Sequence, residues 1–293
     1  MSLKGKTLFI TGASRGIGHA IALRAARDGA NIAIAAKSVE PHKYLPGTIY
    51  TAADDMRAAG GQALALVVDV RDEASILDGV AKTVETFGGI DICINNASAV
   101  SLSKVGDTEA KRFDLMHSVN GRGTFLVSKA CLPHLLKADN PHILNLAPPP
   151  ELKPEWFAGH VAYTMTKFGM SMCTLGMAAE FASQGVAVNA LWPRIAIATA
   201  AIEHAFADQS ELRRCRKPEI MADAAHVILT RPARECTGHF FIDDNLLYDA
   251  GVRDFEPYRV DPTAPSRIGL FVPDSPPAPP GVDLAGAWRP ALG

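Results

Sequence analysis

Tyr163 and Lys167 stand four residues apart in an apolar-periodic stretch, which places a phenol and an ammonium on one face of a helix. A phenol titrates near 10, so proton exchange at neutral pH needs its anion stabilised by about 3 pKa units, roughly 4 kcal/mol. A neighbouring ammonium in a partly dry cleft supplies much of that, so the pair is a candidate acid and base. Taken alone, the same spacing on a solvated helix is surface decoration.

A second chemical signal is Thr11-Gly-Ala-Ser-Arg-Gly-Ile-Gly18. Gly12, Gly16 and Gly18 let the chain turn tightly against a pyrophosphate, and a following helix offers its first N–H groups to the anion. Ser14, Arg15 and Ile17 complete this candidate cradle. The next strand ends in Ala35-Ala36-Lys37-Ser38, without the acidic residue that bonds a ribose 2′-hydroxyl. Lys37 and Arg15 suit a 2′-phosphate instead, which points to NADP(H); two solvated basic side chains are the plainer alternative. Asp69 and Val70, and the run Asn95-Asn-Ala-Ser98 with Asn95 and Ala97, close two further strands on the same sheet edge. As plain structure, Asp69 is a helix cap and Asn95-Asn96 a turn.

These residues need a sheet that brings them to one edge. Strand patterns fall at 7–11, 31–35, 63–68, 90–94, 142–146, 186–191 and 239–243, and helix patterns at 16–28, 51–60, 72–87, 109–137, 161–183 and 219–229. Strands alternating with helices predict an α/β fold, a Rossmann-type doubly wound parallel sheet covered on both faces. Two stretches break the alternation. Residues 38–50 form a long polar loop, and residues 194–218 follow a strand at its carboxyl end, where a lid or a plain surface hairpin would sit.

Composition narrows the function further. With 29 Lys+Arg against 31 Asp+Glu the formal charge is −2, which gives no general attraction to nucleic acid or anionic lipid. The five scattered cysteines fit neither a disulfide framework nor a zinc site, and no other metal cluster is evident. No signal-peptide layout, membrane-length apolar run or S-K-L-type ending is present, so the expectation is a cytoplasmic protein acting on a small molecule.

In their order and spacing the motifs resemble the short-chain dehydrogenase/reductase family. The resemblance rests on TGASRGIG at 11–18, DV at 69–70, NNAS at 95–98 where the family usually has NNAG, Asn120 in HSVNGRGTF, the Tyr163 and Lys167 pair, and Asn189-Ala-Leu-Trp-Pro193. Three longer segments resemble its hydroxysteroid dehydrogenase-like branch, whose mammalian members add a sterol-carrier domain for which 293 residues leave no room. The resemblance implies an NADP(H)-dependent oxidoreductase interconverting an alcohol and a carbonyl, with Tyr163 as general acid or base. Lys167 would lower the phenol's pKa and bond the nicotinamide ribose, and Asn120 would hold a proton-relaying water. Asp69 and Val70 would flank the adenine, Asn95 and Ala97 would line the ribose, and Pro193 joins the cofactor site. A homodimer or homotetramer through the helices at 109–137 and 161–183 is also implied.

Two departures matter. The family's carbonyl-orienting serine falls in Asn145-Leu-Ala-Pro-Pro-Pro150, so Pro148 or Pro150 takes its place and donates no hydrogen bond. Either His160 or Thr164 replaces it, or the substrate polarises itself, or the chain is an NADP(H)-binding regulatory protein with little turnover. Arg194 replaces the family's glycine after Pro193 and is expected to meet an anionic substrate group or to sit in a solvated lid. The apolar run 195–201 suggests a hydrophobic, lipid- or steroid-like substrate.

The dehydrogenase pattern occupies residues 1–250. Nine of the 20 prolines lie in 251–293, which excludes a regular helix or central strand there. Yet Tyr258, Ile268, Leu270, Phe271 and Trp288 are too apolar for a solvated linker. The expectation is an extended arm packed on its own subunit or a neighbour, with a disordered tail as the alternative.

Overall fold

The seven apolar runs pair as one parallel sheet. In the computed structural model, which describes residues 2–41, 46–200, 202, 209–282 and 284–287, the strands are β1 (Thr7–Thr11), β2 (Asn31–Ala36), β3 (Gln62–Val67), β4 (Ile92–Asn95), β5 (His142–Asn145), β6 (Ala187–Trp192) and β7 (Phe240–Ile242). Their order is β3-β2-β1-β4-β5-β6-β7, with Leu8 beside Ile32 on one side and Ile92 on the other. Order reverses between β1 and β4, so the crevice at the strands' carboxyl ends opens there.

Period-two alternation divides the core. Leu8 and Ile10 face a layer built by α1 (Gly16–Arg27), α2 (Ile49–Ala58), α7 (Glu219–Leu229) and α8 (Asp243–Asp249), packing with Ile21, Met56, Ile228 and Leu246. Phe9 faces the other way, with Ile76 of α3 (Glu73–Phe87), Val127 of α5 (Gly123–Leu135) and Met177 of α6 (Val161–Phe181). No helix among the described residues is long and apolar enough to cross a membrane.

Local chemistry sets the boundaries the patterns left open. Helix α2 starts two residues before the expected 51 because Thr48 caps it. Its hydroxyl accepts from Thr51 N–H at 3.1 Å while Thr48 N–H donates to Thr51 Oγ1 at 2.9 Å. Residues 42–45 of the preceding loop lie outside the described residues. The single helix expected over 109–137 is divided into α4 (Ala110–His117), a π turn at Ser118–Arg122, and α5. Asn120 sits in that turn, fully buried, and a π turn re-aims the side chains it carries. Helix α8 was not expected; it is a short two-turn piece directly after β7.

The proline-rich segment packs on its own subunit. Tyr258 donates to Asp223 at 2.7 Å, Gly269 N–H to the Arg194 carbonyl at 2.8 Å, and Trp192 Nε1–H to the Leu270 carbonyl at 2.7 Å. Its strand β8 (Ser266–Ile268) pairs in parallel with β9 (Leu284–Ala287). Trp288 lies outside the described residues. Phe271 has φ of 60° and is 1% exposed, and its ring stands 5.6–6.0 Å from those of Trp156, His160, Tyr163, Phe168 and Trp192. Burying that ring is what a left-handed phenylalanine is tolerated for. Phe271→Ala should lower unfolding free energy by about 3–5 kcal/mol in a denaturant titration; an unchanged midpoint would show that the arm lies outside the cooperative unit.

Candidate active site

The glycine turn is shaped for an anion. Gly12 adopts φ of 68°, and a Cβ there would stand 2.9 Å from Asn96 Nδ2; at Gly18 it would stand 2.8 Å from the Gly12 carbonyl. Helix α1 has no side-chain cap and no acidic residue in its first turn, so its leading N–H groups are left for a ligand. Arg15, the residue at the cap position, instead reaches Ser38 Oγ at 2.7 Å and the Gly47 carbonyl at 2.9 Å. Ser14 is buried beneath the turn and Ile17 lines the adjoining cavity. These residues fit the pyrophosphate of a dinucleotide.

At the end of β2, Lys37 Nζ lies 3.4 Å from Asp69, whose carboxylate also takes a two-pronged bond from Arg71, the shorter contact being 2.6 Å. The Arg71 guanidinium holds the Asp69 carboxyl well below the usual carboxylate range. Asp69 is not the helix cap, since Asp72 caps α3 by accepting from Ala74 N–H at 3.0 Å. Val70 is buried beside Gly123.

Along the next loop the two asparagines divide their work. Asn95 turns into the core, donating to Ser128 Oγ at 2.9 Å and to Asn145 Oδ1 at 2.8 Å. Asn96 donates to the Thr11 and Gly12 carbonyls at 3.0 and 3.1 Å, and the N–H groups of Asn96 and Ala97 both donate to Thr11 Oγ1. Asn96 and Ser98, rather than the side chain of Asn95, line the cavity. The period-two alternation of a strand running into its loop carried this signal, because Asn95 is still a strand residue.

That cavity, about 230 Å³, also takes in Tyr163, Lys167, Trp192, Pro193, Ile197 and Arg214 from the 194–218 stretch, and arm residues 267–270. Burial pushes the Tyr163 phenol well above its ordinary range and pushes the Lys167 ammonium down to about 7. Burial is the cause of both shifts. Lys167 donates to the Leu146 carbonyl at 2.7 Å, contacts Met170 Sδ at 3.3 Å and lies 5.1 Å over the Trp192 ring. Asn120 accepts from Ala99 N–H at 2.8 Å and donates to the Ala99 carbonyl at 2.9 Å and to Thr166 Oγ1 at 2.8 Å. Its side chain is thus a clamp between the cofactor-side loop and the helix of Tyr163.

The departures resolve in part. Pro148 is buried and its carbonyl accepts from Ser171 Oγ at 2.7 Å. Thr164 spends its one proton on the Trp156 carbonyl at 2.6 Å, so His160 Nδ1 must donate to Thr164 Oγ1 at 2.8 Å. Neither lines the cavity, and neither takes the serine's place. Arg194 is neither a lid residue nor an anion receptor: it is 3% exposed, bonded by Nε to both Asp244 oxygens at 2.9 Å, and it reaches the arm carbonyl of Pro276 at 3.3 Å. The two ends of the 194–218 stretch are stitched by Ala198 N–H to the Arg216 carbonyl at 2.8 Å, while residues 201 and 203–208 lie outside the described residues.

Comparisons with known proteins place the chain in a family. A family model described as short chain dehydrogenase matches residues 6–210. Hydroxysteroid dehydrogenase-like protein 2 of Danio rerio is 56% identical over 275 residues, 94% of this chain and 65% of its own length. The Homo sapiens protein of that name is 54% identical over 276 residues, with 94% and 65% covered. The chain thus spans about 65% of the length of these relatives. Among solved structures, a Xanthomonas campestris protein assigned as a dehydrogenase is 59% identical with a TM-score of 0.91, over 94% of this chain and 100% of its own. A short chain dehydrogenase of Mycobacterium thermoresistibile is 50% identical with a TM-score of 0.89, over 96% and 99%. The chain belongs to the short-chain dehydrogenase family, oxidoreductases that use a nicotinamide cofactor, in the branch of hydroxysteroid dehydrogenase-like protein 2.

Proposed function

We propose that the chain is an NADP(H)-dependent oxidoreductase that interconverts an alcohol and a carbonyl on a hydrophobic substrate. The observation that carries this reading is a buried phenol and a buried ammonium, Tyr163 and Lys167, in one apolar cavity continuous with an uncapped glycine turn. Gly12, Ser14, Gly16, Ile17 and Gly18 would hold the pyrophosphate, Arg15 and Lys37 the 2′-phosphate, Asp69 and Val70 the adenine end, and Ala97, Pro193 and the backbone at Asn95, whose side chain turns into the core, the nicotinamide ribose side. Bound there, the cofactor supplies or accepts the hydride.

Tyr163 gives its proton to the carbonyl oxygen in reduction and takes it back in oxidation. Lys167, already charged in a dry site below about pH 7, favours the phenolate that remains and bonds the cofactor ribose. Asn120 keeps the cofactor-side loop in register with the catalytic helix and with the proton path beside Lys167. Apolar side chains Phe125 on α5 and Met165, Met172 and Leu175 on α6 are exposed, which supports a homodimer or homotetramer formed through these helices.

The cavity's chemistry refines the substrate. Its walls are mostly apolar, among them Val100, Leu102, Ile197, Ile202, Ile268 and Leu270. Glu211 pairs with Arg267 at 2.9 Å, whereas Arg214 has no ion-pair or hydrogen-bond partner among the described residues. The guanidinium that meets an anionic group on the substrate is then Arg214 rather than Arg194.

Three measurements test these assignments. Tyr163→Phe should abolish NADPH-dependent turnover on a carbonyl panel while leaving NADPH binding intact; unchanged turnover would overturn the mechanism, and tight NADPH binding without turnover in the natural protein would favour a regulatory role. Replacing Arg15 and Lys37 together by alanine should lower the NADPH to NADH ratio of kcat/KM by at least roughly tenfold, the loss of charge-assisted phosphate bonds. By calorimetry, Arg214→Gln should weaken dodecanoate binding roughly tenfold and leave methyl dodecanoate unchanged; equal losses for both would remove the anion from the substrate class.

A further inference from the structure

With proline at the serine position, the reacting carbonyl needs another neutral donor, and the hydrogen bonds around the cavity narrow the choice. Resting on the oxidoreductase reading above, we propose that Ser98 is a catalytic residue, its hydroxyl donating to the substrate's carbonyl oxygen beside Tyr163.

Each hydroxyl has one proton to give. That of Thr164 goes to the Trp156 carbonyl, that of Ser171 to the Pro148 carbonyl, and that of Thr166 to the Tyr163 carbonyl at 2.8 Å. His160 spends Nδ1–H on Thr164, so its buried Nε2 carries a lone pair and meets no partner. Asn96 commits both amide protons to the Thr11 and Gly12 carbonyls, and Trp192 commits Nε1–H to Leu270. Thr199 lies over the phosphate turn, its methyl 3.3 Å from where a Cβ on Gly16 would stand. Ser98 lines the cavity with Tyr163 and Lys167 and makes no hydrogen bond among the described residues.

Its backbone is pinned on both sides. Upstream, Asn96 and Ala97 donate to Thr11 Oγ1 at 3.0 and 3.1 Å. Downstream, both peptide groups of Ala99 are held by Asn120, which also donates to Thr166, and Thr166 donates to the Tyr163 carbonyl. Ala99 packs against the hydrophobic cluster that contains Tyr163. The backbone that carries the exposed Ser98 side chain and the helix of Tyr163 are therefore one hydrogen-bonded unit, which fixes where a donor at position 98 stands relative to Tyr163. As the carbonyl carbon accepts hydride from NADPH, the π pair moves onto oxygen and that oxygen takes the Tyr163 proton. Ser98 keeps its own proton and stabilises the growing charge. The family usually has glycine at this position, so the two departures, serine gained at 98 and serine lost near 148, offset each other.

The test uses the full chain with NADPH and 2-undecanone as probe. Ser98→Ala and Ser98→Gly should each lower kcat about 10²- to 10³-fold with KM and NADPH affinity little changed, and Ser98→Thr should restore most of the rate. Independently of turnover, the infrared carbonyl stretch of 13C-labelled 2-undecanone bound to the NADP+-loaded protein should lie lower in the natural protein and in Ser98→Thr than in Ser98→Ala. A natural protein with no lowered stretch, or a Ser98→Ala variant with unchanged stretch, overturns the proposal whatever its rate. If Tyr163→Phe stays active while the stretch still responds to Ser98, the acid/base reading fails and the carbonyl contact stands.

Discussion

The site depends on keeping a charged ammonium dry. Moving a lysine out of water is costly unless fixed dipoles replace the lost solvent. Here the Leu146 carbonyl does so at 2.7 Å, and it is available because β5 ends at Asn145, so the Leu146 carbonyl enters no ladder. The indole face of Trp192 adds a second weak stabilisation. Neither partner is an anion, which is why burial still pulls Lys167 down to about 7. A group held so near neutrality responds strongly to whatever negative charge arrives beside it, whether phosphates or a phenolate.

Dryness in turn comes from the arm. Leu270 and Phe271 cover the Tyr163 face of the cavity, and they stay there because Arg194 reaches the Pro276 carbonyl while anchored on Asp244. Arg194, Arg216, Asp243 and Asp244 form a buried four-charge cluster of zero formal charge, with Arg216 also 5.5 Å over the Phe255 ring. Burial, and after it the charge of Asp244, pushes the Asp243 carboxyl upward. Such clusters are poor sources of net stability but severe when broken, since one missing partner strands a charge. Their value here is positional: they tie α8, the ends of the 194–218 stretch and the arm into one piece.

Much of this was legible beforehand, and the reasons for the rest are physical. Alternating apolar runs identify all seven strands because each is buried on both faces or on one, and burial writes itself into composition. The π turn at Asn120 escapes propensity, since one extra residue changes no residue's preference and only shifts the phase of the apolar pattern at a single point. The arm's prolines exclude helix and central strand but carry no address; its destination is set by Trp192, Arg194 and the aromatic cage, which are distant in sequence. Arg194 was misread for a related cause: its partner Asp244 lies 50 residues on, and a charge looks solvated until its counter-charge is located. The inward turn of the Asn95 side chain leaves no mark in the motif, because side-chain direction at a strand end is not written there.

The arm residues 267–270 that wall the cavity belong to the same chain as Tyr163 and Lys167. Helix α6 presents two surfaces. Tyr163, Lys167, Met170 and Thr174 are buried on one side, while Met165, Met172 and Leu175 are exposed. Two residues along a helix is about 200°, so the second stripe lies opposite the first. A second copy packed on that stripe would restrain the helix from behind without entering the cavity. The clamp through Asn120 and Thr166 would pass that restraint to the Ser98 loop, since these side chains link α6 to it directly.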